Sequence, residues 1–150
     1  MAYNYKSFKE VVNTFESASN AHLAINTFHY GTIDKLDSST QNVKYPYIFL
    51  RPLSSPGLQG NIRTLAFEMY SLDIPKLTDT DDLQIMSNTE QYVYDLVSYF
   101  SYGSQQQTEY VDLINITPVN EAFNDRTFGW VATINYKEEG VYNYCDFPQL

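Results

Sequence analysis

The stretch from Asp79 to Gly103, DTDDLQIMSNTEQYVYDLVSYFSYG, decides how the rest of the chain is organised. It carries the one long, clean helical pattern in the sequence. Leu83, Met86, Val93, Leu96, Val97 and Phe100 follow the three-and-four spacing that lines one face of a helix. Thr78 or Thr80 offers a hydroxyl to the orphan N–H groups at the start. Asp79, Asp81 and Asp82 place carboxylates at the positive end of the helix dipole. Gly103 supplies the stop, because it tolerates the left-handed backbone common just past a helix end. Nothing on this helix resembles a catalytic group, and the segments around it need its apolar face to pack against.

Upstream, Ser7 to His22 predicts a first helix, with Phe8, Val11, Val12, Phe15 and Ala18 on one side and Lys6, Lys9, Glu10 and Glu16 facing away. Leu23 to Tyr30 changes to an extended pattern that Gly31 ends, and residues 34–39 are turn-like. Tyr45 to Pro52 is a short strand between two prolines. Leu53 to Asn61 is a loop of turn-forming residues, Ser54, Ser55, Pro56, Gly57 and Gly60. Arg63 to Ile74 carries apolar groups on both sides, which predicts a central strand. Downstream, Val111 to Val119 reads as a strand with Val111 and Leu113 on one face and Ile114 and Ile116 on the other. Trp130 to Tyr136 alternates, Trp130, Ala132, Ile134 and Tyr136 sharing one face. Lys137 to Leu150 is expected to be irregular. Strands joined by short loops favour antiparallel pairing, and two helices cover one face. The expectation is a single α+β domain over residues 1–150, an antiparallel sheet of about four to five strands with two helices on one face.

Composition narrows the function classes. A hydrophobic fraction of 43% and a charged fraction of 18% are those of a folded globular chain. A net charge of -9 with nine Lys and Arg opposes general nucleic-acid binding, which needs clustered cations. The single cysteine excludes an intrachain disulfide and a cysteine-based metal site. No apolar run approaches the roughly 20 residues that cross a bilayer, and Met1 to Lys6 lacks the apolar core of a signal peptide. The chain is therefore expected to be cytosolic at birth, without a membrane partner. Its 14 Tyr, 9 Phe and one Trp fit a chain with amphipathic contact surfaces; a Tyr-biased genome gives the same composition.

Candidate chemistry is sparse. His22 and His29 are the two histidines, and a zinc site needs three or more protein ligands that no cysteine or further histidine supplies. Asp79, Asp81 and Asp82 lack the glycine and terminal glutamate of a calcium loop, and helix capping accounts for them. Cys145 sits between Tyr144 and Asp146, and an adjacent carboxylate opposes thiolate formation. Residues 54–57 form no nucleophile elbow, and no glycine-rich phosphate loop is present. No catalytic residue, metal or cofactor is expected.

The C-terminal segment is the informative one. It runs Ile116-Thr117-Pro118-Val119, then Phe123-Asn124-Asp125-Arg126-Thr127-Phe128-Gly129-Trp130, then Ala132-Thr133-Ile134, then Tyr142-Asn143-Tyr144-Cys145-Asp146-Phe147-Pro148. This resembles the ending of the tail-completion proteins of tailed phages, also called tail terminators or neck ring proteins. There an acidic residue and a small turn precede a Gly-Trp that opens the last strand, and an Asn-x-Cys-x-x-Pro tail follows. The order of elements agrees over most of the chain, and the turn Arg126-Thr127-Phe128 is bulkier than the family's usual one.

The resemblance implies a structural virion protein, assembled in the host cytoplasm, that forms a six-fold or twelve-fold ring at the head–tail junction or top of the tail. Its partners would be copies of itself and the neighbouring tail tube, portal or connector proteins. DNA would pass through the bore without sequence-specific contact, and an acidic bore suits that passage. A ring needs heterologous contacts, one patch of a subunit meeting a different patch of the next. Pro56, Gly57, Leu58 and Arg63 in the long loop, and Tyr142, Tyr144 and Phe147 in the tail, are the candidate subunit-contact residues. Two rivals stand beside this expectation: a non-catalytic cytosolic protein-binding domain with a Tyr-lined groove, and an enzyme using His22 or His29 as a base.

Overall fold

A computed structural model describes residues 6–32, 35, 43–75, 82–100, 109–122 and 127–139, with no side chains described at 121 and 122. Thr78, Asp79, Thr80, Asp81, Gly103, Tyr142, Tyr144, Cys145 and Phe147 lie outside the described residues. The elements are α1 (Phe8–Ala21), β1 (Thr27–Tyr30), β2 (Tyr47–Pro52), β3 (Gly57–Gln59), β4 (Ile62–Asp73), α2 (Asp82–Ser98), β5 (Glu109–Ala122) and β6 (Thr127–Glu139). The fold is α+β: two helices among the described residues and a mixed, mostly antiparallel sheet of six strands.

The strand order is β1-β2-β4-β6-β5, with β3 continuing the β2 side of β4. Two details depart from the expected all-antiparallel sheet of fewer strands. β1 and β2 run parallel, Thr27 beside Tyr47 and Tyr30 beside Leu50. Residues 31–46 connect them, long enough for the crossover that parallel strands require. The second departure is β3, formed inside what the sequence presents as a loop. β4 is central, as expected, flanked by β2 and β3 on one side and β6 on the other.

Both helices pack on one sheet face. α1 starts at Ser7, whose hydroxyl accepts the Glu10 N–H, and it buries Val11, Val12, Phe15 and Ala18. α2 buries Ile85, Thr89, Val93 and Leu96, and Phe100 just beyond it is also buried. Leu83 is the correction here: it is 75% exposed, because the buried line steps 85-89-93-96-100 and leaves position 83 outside it. Thr89 is admitted to that line because its hydroxyl donates to the Ile85 carbonyl within the helix. Ser71 of β4 donates to the Thr89 carbonyl at 2.9 Å, and Trp130 Nε1 donates to the Met86 carbonyl at 2.8 Å. Opposite the helices these side chains meet Ile48, Leu50, Phe67, Met69, Ala132, Ile134 and Tyr136. Each such apolar side chain contributes about 1.5–3 kcal/mol by leaving water.

The other sheet face has its own apolar cluster: Tyr47, Phe49, Tyr70 and Leu72 are buried there, with Val119 and Val131 packed against them. The aromatic content is therefore largely internal among the described residues. Rings fill both faces, and Phe15 meets Phe100 and Phe67 as tilted pairs with ring centroids 4.5 and 5.6 Å apart.

β5 corrects a second expectation. Val111, Leu113 and Ile116 all pack on the helix-side core, and Ile114 is 54% exposed. A bulge between Leu113 and Asn115 adds one residue to β5, and Leu113 pairs with Ile134 while Ile116 pairs with Ala132. The extra residue moves the inward positions from odd to even.

Candidate functional site

The stretch from Pro52 to Ile62 contains no charged residue, between Arg51 and Arg63, in a chain of net charge -9. It leaves β2 at Pro52, turns outward through Ser54 to Pro56, and returns as β3 against β4. Ser55 pins the turn: its hydroxyl donates to the Leu53 carbonyl and accepts the Ala66 N–H at 2.8 Å. Gln59 pairs with Ile62, so Gly60 and Asn61 form a two-residue hairpin turn. Gly60 has φ +60°, the left-handed value that such turns demand and that glycine meets at no steric cost.

Leu58 is 45% exposed and Ile62 is 37% exposed. Leu58 lies opposite Arg63, and Ile62 lies opposite Gln59. Successive side chains alternate across a strand, so the tip carries one apolar group on each face. β3 pairs only with β4 among the described strands, which leaves its outer edge open. The two flanking strands manage their edges differently. β1 is four residues long, and β5 is interrupted by two irregularities and by Pro118, which has no N–H to offer. Along Gly57–Gln59 β3 carries no charge, proline or bulge, and its three-residue length is the one device that blunts its edge against strand addition.

An ion cluster anchors the root of this hairpin. Arg63, Glu138 and Glu109 are register neighbours across β4, β6 and β5. Glu138 and Glu109 are 2% and 4% exposed, and such burial is tolerable only with close partners. Arg63 Nη1 meets Glu138 Oε2 at 3.3 Å, and Lys6 Nζ meets Glu109 Oε2 at 3.0 Å. Lys6, which the sequence places facing away from the apolar side of α1, is drawn to the sheet by this carboxylate. Burial, offset by the Lys6 amide and by Arg63, holds the Glu138 carboxyl above its ordinary range. Tyr136, behind the cluster, has its pKa pushed up by burial and then by Glu109 and Glu138. Its hydroxyl is buried beside Glu109 and meets no partner at strict hydrogen-bond geometry among the described residues.

The four contact candidates among the described residues fall on one hairpin rather than in a cleft, and Tyr142, Tyr144 and Phe147 lie outside the described residues. Pro56 and Leu58 are exposed and Gly57 is half-buried on the hairpin, while the Arg63 side chain turns into the ion cluster at 12% exposure. Sequence reading missed Ile62, placed just outside the loop; the uncharged run up to Arg63 is the signal that would have included it. His22 has both ring nitrogens engaged: Nε2 meets Asp95 Oδ2 at 2.7 Å and Nδ1 accepts the Ala24 N–H. That arrangement ties α1 to α2. His29 Nδ1 lies 3.0 Å from the Tyr47 hydroxyl, and burial, then Lys35, lowers its pKa.

A cleft of about 400 Å³ runs along α1, lined by Lys6, Glu10, Asn13, Thr14, Ser17 and Tyr99; much of its surface comes from the carbon stems of these side chains and the tyrosine. Among the described residues no three His, Cys, Asp or Glu side chains group as metal ligands, and no helix is long and apolar enough to cross a membrane. No protein-family model matches the chain, and no curated protein matches it.

Proposed function

We propose that this chain is a non-catalytic structural subunit that assembles side by side with copies of itself into a ring, the role that tail-completion proteins have at the head–tail junction of tailed phages. The observation that carries this reading is the uncharged hairpin Pro52–Ile62. It presents Leu58 and Ile62 to solvent beside a strand edge that no described strand pairs, on a chain of net charge -9. Two acidic bodies repel as they approach. A neutral, apolar-tipped element is the part of such a body that a second copy can meet at least electrostatic cost. A tip meeting a different patch of the next copy is a heterologous contact, and heterologous contacts that close generate rings. Under this reading the net negative charge lets DNA pass a bore without being held.

Sedimentation velocity over a wide concentration range, with negative-stain images of the same samples, tests the proposal. Closed rings are expected, alone or on a tail tube or portal. A chain that stays monomeric at high concentration and joins neither would overturn it.

A further inference from the structure

Lys6 binds the sheet with every polar group it has. Its backbone N–H donates to Glu138 Oε1 at 3.1 Å on β6. Its carbonyl oxygen accepts from the Arg63 guanidinium on β4. Its ammonium donates to Glu109 Oε1 at 3.1 Å on β5 and to Thr14 Oγ1 at 3.2 Å on α1. The very next residue, Ser7, is the N-cap of α1. One residue thus fastens the entrance of the first helix to three strands.

Arg63 belongs equally to the hairpin, being the register partner of Leu58. A three-residue β3 closed by a two-residue turn is marginal as a free ribbon, and it is held to β4 at its base by Ser55 and Leu53 on Ala66 and nearer its tip at this residue. Arg63 is shared between the Lys6 carbonyl and Glu138. Withdrawing Lys6 therefore leaves a buried guanidinium with one fewer acceptor and Glu109 without its cation. Unpaired buried charges are costly enough to reorganise their surroundings, and the element least able to resist is the hairpin.

We propose that the segment entering α1 through Lys6 and the β3–β4 hairpin open together as one local unit, so that the seating of Lys6 sets how firmly the hairpin is held. The coupling is a property of the single chain; that it governs subunit contact rests on the ring reading above. Seated, the hairpin is presented in one orientation to a neighbour. Unseated, it is loose, and a loose element binds at an ordering cost.

Amide-resolved hydrogen exchange on the full chain, at a concentration where it is monomeric, tests this. In the wild type the Lys6 amide and the hairpin amides of residues 57–59 and 62–64 should exchange with similar opening free energies, below those of α2 and central β6. Lys6→Met keeps the apolar stem and removes the ammonium. It should speed exchange in both segments by on the order of tenfold and leave α2 unchanged. Glu109→Gln, which keeps the side chain's shape, should do the same and guards against a folding defect peculiar to the first variant. Faster exchange at Lys6 alone with the hairpin unmoved, or equal acceleration throughout the chain, overturns the proposal. Failure here leaves ring assembly standing, and a strictly monomeric chain with coupled exchange would sink ring assembly and leave the coupling.

Discussion

Gly129 of β6 passes so close to Ser71 of β4 that a Cβ at position 129 would sit 1.9 Å from the Ser71 carbonyl oxygen and 3.1 Å from Leu72 Cα. The atoms in the way are backbone, held in the β4–β6 ladder where Gly129 pairs with Leu72, so they cannot step aside as a side-chain tip would. The glycine before Trp130 thus serves the close approach of two central strands. Gly129→Ala should destabilise the fold by about 2–4 kcal/mol, the cost of forcing strands apart in a packed core. Urea unfolding measures it, and a loss below about 1 kcal/mol would show that the strands can separate cheaply.

The hairpin tip makes a prediction about assembly without one about folding. Leu58→Asp with Ile62→Asp places charge on both faces of an exposed element, so unfolding stability should change by no more than about 1 kcal/mol. Ring formation should be lost, because each copy now brings like charge to an acidic neighbour. Rings of normal size from the double variant, seen by sedimentation, would remove the hairpin from the contact.

Glu138 gives a pH dependence with a definite sign. Burial raises its folded pKa above the ordinary value of 4.5, so the folded chain holds this proton more tightly than the unfolded chain. The cost of its buried charge is fully present above the folded pKa and is relieved as pH falls through it toward 4.5. The wild type should therefore gain stability relative to Glu138→Gln as pH is lowered through that window. A difference between the two that stays constant from pH 7 downward would show that Glu138 titrates alike in both states.

Ile114 is the extra residue of the β5 bulge. Its neighbours Leu113 and Asn115 already face the adjacent residues Ile134 and Thr133, so deleting it joins two stretches that are in register. The deletion should leave the core intact and shift stability by about 1 kcal/mol or less. Deleting Thr133 instead, in the unbroken strand opposite, flips one half of β6 and should abolish folding. Circular dichroism of the two deletions decides the matter, and loss of structure on removing Ile114 would mean that the bulge itself is required.

Much of the fold was legible before any coordinates. The strict alternation of Trp130 to Tyr136 and the three-and-four spacing of Val93, Leu96 and Phe100 declare their elements, because a strand or helix with one buried face must repeat with its own period. The hairpin was half legible: the glycines and Pro56 announced turns, but three paired residues between them carry too few positions for a period to register. The ion cluster was not legible at all. Lys6 reads as a charge facing away from the first helix's apolar side and Arg63 as a contact residue, and Glu109 and Glu138 draw no reading at all, since nothing local distinguishes a charge in water from one facing its counter-ion across a sheet.

The sequence by itself determined the two helices, the centrality of β4, the uncharged run to Ile62 and the poverty of reactive groups, all of which are properties of neighbours along the chain. Only the tertiary structure decided that β1 runs parallel to β2, that Ile114 turns outward, that Gly129 must lack a side chain, and that one lysine fastens three strands. These depend on which atoms meet across tens of residues of intervening chain, and such meetings are fixed by packing and charge pairing in space rather than by any spacing along the backbone.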